Sequence, residues 1–319
     1  MEKQPELAMQ EQNKSSQTLL SKKKFVWTKE TTFALIVVLI PIVGYLFFNG
    51  FPVVLSFGLL FNDLTGYDLS TMTWNNFANF VTVFKDPRFW KSIWITVWIA
   101  SAQIVTLSIA LVVSVLLSKK PKGRGFFQVL YFVPYICSSV AVAIMWKWVF
   151  DGNHGLLNAV LGTKIDWLNN TKNPSTLTWT IITAIIWQAP GYGIVMFKAA
   201  LDAVNPALYE ASEIDGANAF KQFWHITIPS IAPTTFYLLF TGVLAGFTTF
   251  DKATLMAPVS WTQTAGYEDM GLTMLYYSYI LGTQKMEMEL ASVVSWFLFA
   301  ITMTLSVIVM KKRNKELED

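Results

Sequence analysis

Charged side chains are missing from six long stretches of the chain, and these gaps outline its architecture. They lie between Glu30 and Asp63, Lys91 and Lys119, Arg124 and Lys147, Lys172 and Lys198, His225 and Asp251, and Glu289 and Lys311, and hold 32, 27, 22, 25, 25 and 21 residues. A helix needs about 20 mostly apolar residues to cross the hydrocarbon core of a bilayer, so all six gaps predict spans, at about 31–58, 93–117, 126–149, 177–200, 230–250 and 290–310. The next two gaps, Lys252–Glu268 and Asp269–Lys285, hold 15 residues each, and the first contains Pro258. They are too short to span and predict an outer loop, 251–288, with an interfacial or re-entrant segment. The expected fold class is all-α, a polytopic transmembrane helical bundle over 31–310.

Composition agrees: 53% of the 319 residues are hydrophobic and 14% charged, where a soluble domain carries about 25% charge. Basic residues set the orientation, because cytoplasmic loops keep an excess of Lys and Arg. Lys22–Lys24 and Lys29, then Lys119, Lys120, Lys122 and Arg124, then Lys311, Lys312, Arg313 and Lys315 all fall on one side of a six-span plan. Both termini are therefore expected in the cytoplasm. The net charge of +3 is a product of this asymmetry and does not point to nucleic acid. Residues 1–30 and 311–319 read as cytoplasmic tails, the first disordered, because a secretory signal would place its apolar region directly behind the basic start. Cys137, the lone cysteine, allows no intrachain disulfide and reads as a small packing or lipid-facing residue.

Pro41, Gly44, Gly50 and Pro52 predict a kink or break near the outer end of span one. The outer segment 59–91 carries Trp74, Phe77, Phe80, Phe84, Phe89 and Trp90, and span three ends in Trp146-Lys147-Trp148; both suit a membrane interface. No extramembrane piece is long enough to build its own core, and no G-x-x-x-x-G-K-[ST] phosphate loop is present. If ATP drives this protein, another chain hydrolyses it.

The longest inner loop, 202–229, has the most distinctive sequence. Asn205 is a candidate N-cap and Pro206 suits the first helical position. Leu208, Ala211 and Ser212 share a face, and Gly216 would end the helix. A second helical piece through Phe220, Phe223 and Trp224 leads to Pro229. The two pieces make a compact knob shaped to dock in another protein.

The segment Glu210-Ala211-Ser212 through Asp215-Gly216-Ala217, with Ile226 and Pro229 beyond, resembles the EAA loop of binding-protein-dependent ABC importer permeases. Asp86-Pro87-Arg88-Phe89-Trp90, Val133-Pro134, Trp146-Lys147-Trp148-Val149-Phe150 and Gly155-Leu156-Leu157-Asn158 resemble the sugar-type, maltose-permease-like branch. The departures are Ser212 for the pattern's second alanine, Ile95-Thr96 for Asn-Thr, and Met256-Ala257-Pro258 where glycines are common. The resemblance implies a non-catalytic subunit of a bacterial cell membrane importer. Its loop would dock on an ATP-binding cassette ATPase dimer, which binds the ATP and Mg; this chain would hold no cofactor or metal. The other implied partners are a second permease, an extracellular solute-binding protein, a sugar or oligosaccharide, and the lipid bilayer.

Polar groups inside spans are costly and usually face a bundle interior or cavity. Span four carries Trp187, Gln188, Pro190, Gly191 and Tyr192, and span five carries Gly246, Thr248 and Thr249. The resemblance places Gln188, Tyr192, Gly246 and Thr249 near a sugar pathway, and helix packing is the competing reading, glycines being common at close helix contacts. The runner-up solute is a polyol phosphate or other small polar molecule, disfavoured because the only basic residues within the predicted spans, Lys147 and Lys198, lie at the ends of spans three and four. An ion-coupled carrier or a membrane enzyme would call for intramembrane carboxylates or clustered ligands. His154 and His225 stand alone in opposite loops and read as solvated.

Overall fold

The computed structural model describes residues 28–118, 122–258 and 265–318. The expectations placed on Lys22, Lys23, Lys24, Lys119 and Lys120 therefore lie outside the described residues. The chain divides into two units, ending and beginning at Leu55 and Ser56.

The described residues of the first unit lie in a long helix, α1 (Lys29–Leu59), started by Thr28, whose hydroxyl accepts the Thr31 N–H at 3.2 Å. Pro41 and Pro52 are carried inside it. Instead of the expected break there is a π-turn over Leu46–Gly50, closed by the Phe51 N–H on the Leu46 carbonyl. Val37, Val38, Leu39 and Ile40, which face different sides of the helix, are each at least half exposed, so this helix offers apolar surface all round, as a lipid-crossing helix does.

In the second unit the outer segment departs from an all-helical plan. Asn62–Thr65 (β1) and Asp68–Trp74 (β2) pair as an antiparallel hairpin, turned at Gly66 with φ 64°, where glycine avoids the left-handed penalty. The aromatics of this segment form a cluster beyond the hairpin. Phe61 meets Phe77 and Phe80, and Phe84 meets Phe89, Trp90 and Phe297. Helix α2 (Ala78–Lys85) precedes α3 (Pro87–Ser118), which starts six residues ahead of the expected span two.

Helix α3 is the axis of the second unit and, besides α2, packs against α7 (Thr176–Gln188), α8 (Pro190–Asp202), α11 (Ala232–Phe247) and α13 (Met274–Tyr279). Along α3, Phe89, Ile95, Ile99 and Ala102 enter one apolar core, while Ala110 and Leu117 enter a second with Ile194, Phe197, Ile231 and Leu238. Gln103 and Thr106 occupy the stretch between the two. Ile95, the departure from the family pattern, is fully buried in the first core. Its neighbour Thr96 accepts the Met274 N–H at 2.8 Å, fixing the start of α13.

Among the described residues, four helices are long and apolar enough to cross a membrane, or six when each of two bent pairs is counted as one span. The expected single helix over 126–149 is broken. Helices α4 (Arg124–Ile136) and α5 (Ser139–Val149) meet at 98°, with Cys137 extended at the joint. The other bent pair joins α10 (Ala219–Ser230) to Ala232–Met256 at 68°. Two further short helices matter below: α9 (Pro206–Ile214) and α12 (Asp251–Met256), which continues the fifth span past its expected end at 250. The last helix, α14 (Met288–Glu318), also runs past its expected end. The outer loop is largely folded inward, with Ala265, Leu272, Met274 and Tyr277 buried.

Candidate functional site

The inner loop folds into a knob with a defined internal frame. Asn205 caps α9, its Oδ1 accepting the Ala207 N–H at 3.0 Å, and Pro206 takes the first turn, where its missing N–H costs nothing. The helix ends at Gly216, whose φ of 75° is open to glycine and strained for a side chain. Around it, Ala217 N–H bonds to Ser212 C=O at 2.9 Å and Gly216 N–H to Glu213 C=O at 3.0 Å, the paired bonds of a Schellman stop. Asn218 then caps α10 through Lys221 N–H.

The two helical pieces are tied by side chains that the sequence pattern did not single out. Tyr209 and Thr227 hydroxyls meet at 2.9 Å. Gln222 Nε2 donates to Ser212 Oγ at 3.0 Å, and Ser212 Oγ donates to the Tyr209 carbonyl at 2.7 Å. Ser212 is thus one of the links between α9 and α10, through a bond alanine could not make. Pointing outward are Glu210, Ala211, Glu213 and Asp215, with Ile214 89% exposed. The Glu210 carboxylate has no hydrogen-bond partner among the described residues. Ala217 and Ile226 are half-buried, and Pro229 sits two residues ahead of Ile231, where the chain bends by 68°. That bend pivots on Ile231, which is fully buried. Behind the knob lies a cavity of about 650 Å³ walled by Val115, Leu201, Tyr209, Gln222 and Phe223, so the knob arches away from α3 and α8.

The four expected pathway residues separate into two kinds. Tyr192 lines a cavity of about 280 Å³ together with Gln103, Thr106, Tyr135, Leu238 and Thr241; its ring stacks on Tyr135 and its hydroxyl lies 3.2 Å from that of Tyr237. Thr249 lines a second cavity of about 220 Å³ with Gln103, Ser139, Thr248, Asp251 and Lys252. Gln188 lines neither. It is 8% exposed and its Nε2 donates to the Cys137 carbonyl at 2.9 Å, satisfying a backbone group freed at the α4–α5 joint. Gly246 is a packing position, since a Cβ there would lie 2.9 Å from Ala100 Cα. Gln103, at the middle of α3, borders both cavities. Its signal in the sequence is a polar residue at the centre of span two. Among the described residues no three His, Cys, Asp or Glu side chains come together to hold a metal.

At the start of α3, Arg88 makes a two-pronged contact with Asp269, Nε and Nη2 each 2.9 Å from a carboxylate oxygen. The Tyr277 hydroxyl donates to Asp86 Oδ2 at 2.5 Å, and the Arg88 guanidinium lies over the Tyr277 ring. Burial, reinforced by the Asp86 carboxylate, pushes the Tyr277 phenol well above its usual range, so it remains a donor. Asp269 and Glu268 both have positive φ, 54° and 51°; this strained turn is held where Arg88 and Lys91 reach it. The Asp86-Pro87-Arg88 segment of the sequence pattern is the start of this clamp.

Residues 107–311 match the family described as the binding-protein-dependent transport system inner membrane component. The chain belongs to that family. As a member it is a membrane-spanning permease subunit of an ABC transporter and not an enzyme. It is similar to the probable ABC transporter permease YesP of Bacillus subtilis, 32% identical with 85% of this chain and 86% of that protein covered. The arabinooligosaccharides transport permease AraP of the same organism is 27% identical over 85% of each. The sn-glycerol-3-phosphate transport permease UgpA of Shigella flexneri is 33% identical, covering 60% of this chain and 66% of that one. Its fold matches that of a bacterial ABC transporter that imports the acidic polysaccharide alginate, with a TM-score of 0.74, 23% identity, and 90% and 96% of the two chains covered. The helical bundle with little sheet is thus the fold of an ABC permease.

Proposed function

We propose that this permease forms, with a second permease, the alternating-access pathway of an ATP-driven importer for a sugar or oligosaccharide. A solute-binding protein delivers the sugar from outside, and an ATPase dimer docks on the knob at 202–229. The observation that carries the reading is the knob itself: a capped helix with a free Glu210, locked to α10 through Ser212 and Gln222, and joined to the fifth span through a single buried pivot at Ile231. Motion of α9 on the ATPase would pass through α10 to α11, the helix that borders both cavities. A partner shifts such an equilibrium only through contacts that differ between its two states, and an exposed carboxylate beside an exposed Ile214 supplies both a charged and an apolar contact. The relative named for arabinooligosaccharides supports a carbohydrate cargo, as do the tyrosine faces and hydroxyls of the first cavity, while the relative named for sn-glycerol-3-phosphate fits the runner-up, a polyol phosphate.

The test is reconstitution of the importer with its partner permease and ATPase. Glu210→Lys should leave the chain in the membrane while sugar uptake and solute-stimulated ATP hydrolysis are lost. Wild-type stimulation in that variant would remove the knob from the coupling path.

A further inference from the structure

The second cavity holds two charged side chains inside a helix long and apolar enough to span a membrane in its bent pair. Asp251 and Lys252 open α12, directly after the loosened stretch Thr248–Phe250. Lys252 Nζ donates to Ser139 Oγ at 3.2 Å, which leaves two of its three N–H donors available. No ion pair joins Lys252 to Asp251 among those found, and the Asp251 carboxylate has no hydrogen-bond partner among the described residues. Gln103 faces them across the same cavity. Its Oε1 meets Thr106 Oγ1 at 3.2 Å, and its amide N–H₂ has no partner among the described residues. Asp251 and Lys252 are half-buried, and charged and amide groups with spare hydrogen-bonding capacity taken out of water are costly unless something completes them.

We propose that Asp251, Lys252 and Gln103 form a solute subsite of the translocation pathway, built for a neutral, polyhydroxylated sugar. The proposal rests on the importer reading above. Sugar hydroxyls both donate and accept. A carboxylate can take two O–H groups, and the ammonium and the carboxamide can donate to ring or hydroxyl oxygens. One cation and one anion leave the cavity with no net charge, so a phosphate or uronate gains no net attraction there. The helix of the fifth span continues through α12 and brings Lys252 together with Asp251, so the neutral-solute preference rests on a balanced pair.

The potential inside the cavity can be read without knowing which sugar is carried. Gln103→Cys is made in a Cys137→Ser background, in the full importer with cysteine-free partners. Its reaction rates with anionic sulfonatoethyl and cationic trimethylammonioethyl methanethiosulfonate are compared, with and without trapped nucleotide. The thiol should react in at least one state, with a rate ratio within a few-fold of that of a free thiol. Asp251→Asn should then shift the ratio toward the anionic reagent, and Lys252→Met toward the cationic one, each on the order of tenfold for one unit charge at close range in a partly polar site. Ile104→Cys, next along α3 and 65% exposed in this chain, should stay unreactive as a lipid or subunit contact. If Gln103→Cys is inert in every state while the ATPase co-purifies, the subsite is refuted and the importer reading stands. A ratio indifferent to both charge changes refutes it equally. A wild-type ratio more than about tenfold toward the anionic reagent overturns the neutral-sugar assignment. Failure of the ATPase to co-purify removes the importer reading and this proposal with it.

Discussion

At the scale of single residues, the inner knob depends on two side-chain facts that act in different ways. Gly216 sits at φ 75° with open space around its Cα, so a substitution there meets no steric wall and suffers only backbone strain. A β-branched residue in the left-handed region costs about 1–2 kcal/mol. Gly216→Val should therefore distort the α9 stop, and solute-stimulated ATP hydrolysis should drop in the reconstituted importer, while Gly216→Asn, which tolerates that region, should retain most of it. Equal loss in both variants would mean the position matters for something other than its φ. Ser212 acts through its hydroxyl. Ser212→Ala restores the common family residue but removes the bridge to Gln222, worth about 0.5–1.5 kcal/mol. The expected outcome is an assembled importer whose ATPase runs faster without solute and is stimulated less by it. The EAA-type spacing made Glu210 and Gly216 legible in the sequence. Tyr209, Gln222 and Thr227 were not, because their partners lie 10 to 18 residues away and no local periodicity announces such bonds.

At the scale of elements, the bent third span is the clearest case in which one long apolar gap concealed two helices. Charge spacing measures only where the chain avoids water, and both arms of the α4–α5 bend do. Pro134 lies inside α4 and was visible, but the 98° turn at Cys137 is completed by Gln188, 51 residues further on. Gln188 was legible as a costly polar group in a span; its choice between solute and backbone was not. The structure makes it a brace. Gln188→Leu should leave the Cys137 carbonyl unpaired at a cost of about 1–3 kcal/mol, lowering the thermal stability of the purified complex. Gln188→Glu should destabilise it as well, since a carboxylate cannot donate. A variant with unchanged stability but altered uptake KM would return Gln188 to the pathway. The outer clamp is a second element-level device. Arg88 and Asp269 are each less than a third exposed, so their coupling should exceed that of a surface pair. A double-mutant cycle with Arg88→Met and Asp269→Asn should give a coupling of roughly 1–3 kcal/mol. A coupling near zero would mean that burial alone holds the 265–273 turn.

At the scale of the whole molecule, the count of crossings decides which loops share a side. The charge gaps marked six segments, and helices occupy all six, but two of them are bent. In the α4–α5 pair neither arm alone reaches the ~30 Å of a hydrocarbon core, since 13 and 11 residues rise about 20 and 16 Å. The pair therefore either crosses as a unit or dips in and returns, and the two cases predict opposite faces for everything that follows. If it crosses, Lys122 and Asn218 lie in the cytoplasm, Asn169 and Lys285 lie outside, and the knob is on the side where ATP is. If it returns, Asn169 joins Lys122 in the cytoplasm and Asn218 moves outside, out of reach of any ATPase. The basic residues favour the first case, because Lys122, Arg124, Lys198, Lys221 and Lys311 then share the cytoplasmic face. Single cysteines at these four positions, all exposed in the chain, should be placed in the Cys137→Ser background. An impermeant maleimide added to intact cells should label those at 169 and 285 and spare those at 122 and 218 until the membrane is opened. Labelling at 218 from outside would invert the second half of the chain, and a knob facing away from the cytoplasm could not be driven by ATP hydrolysis.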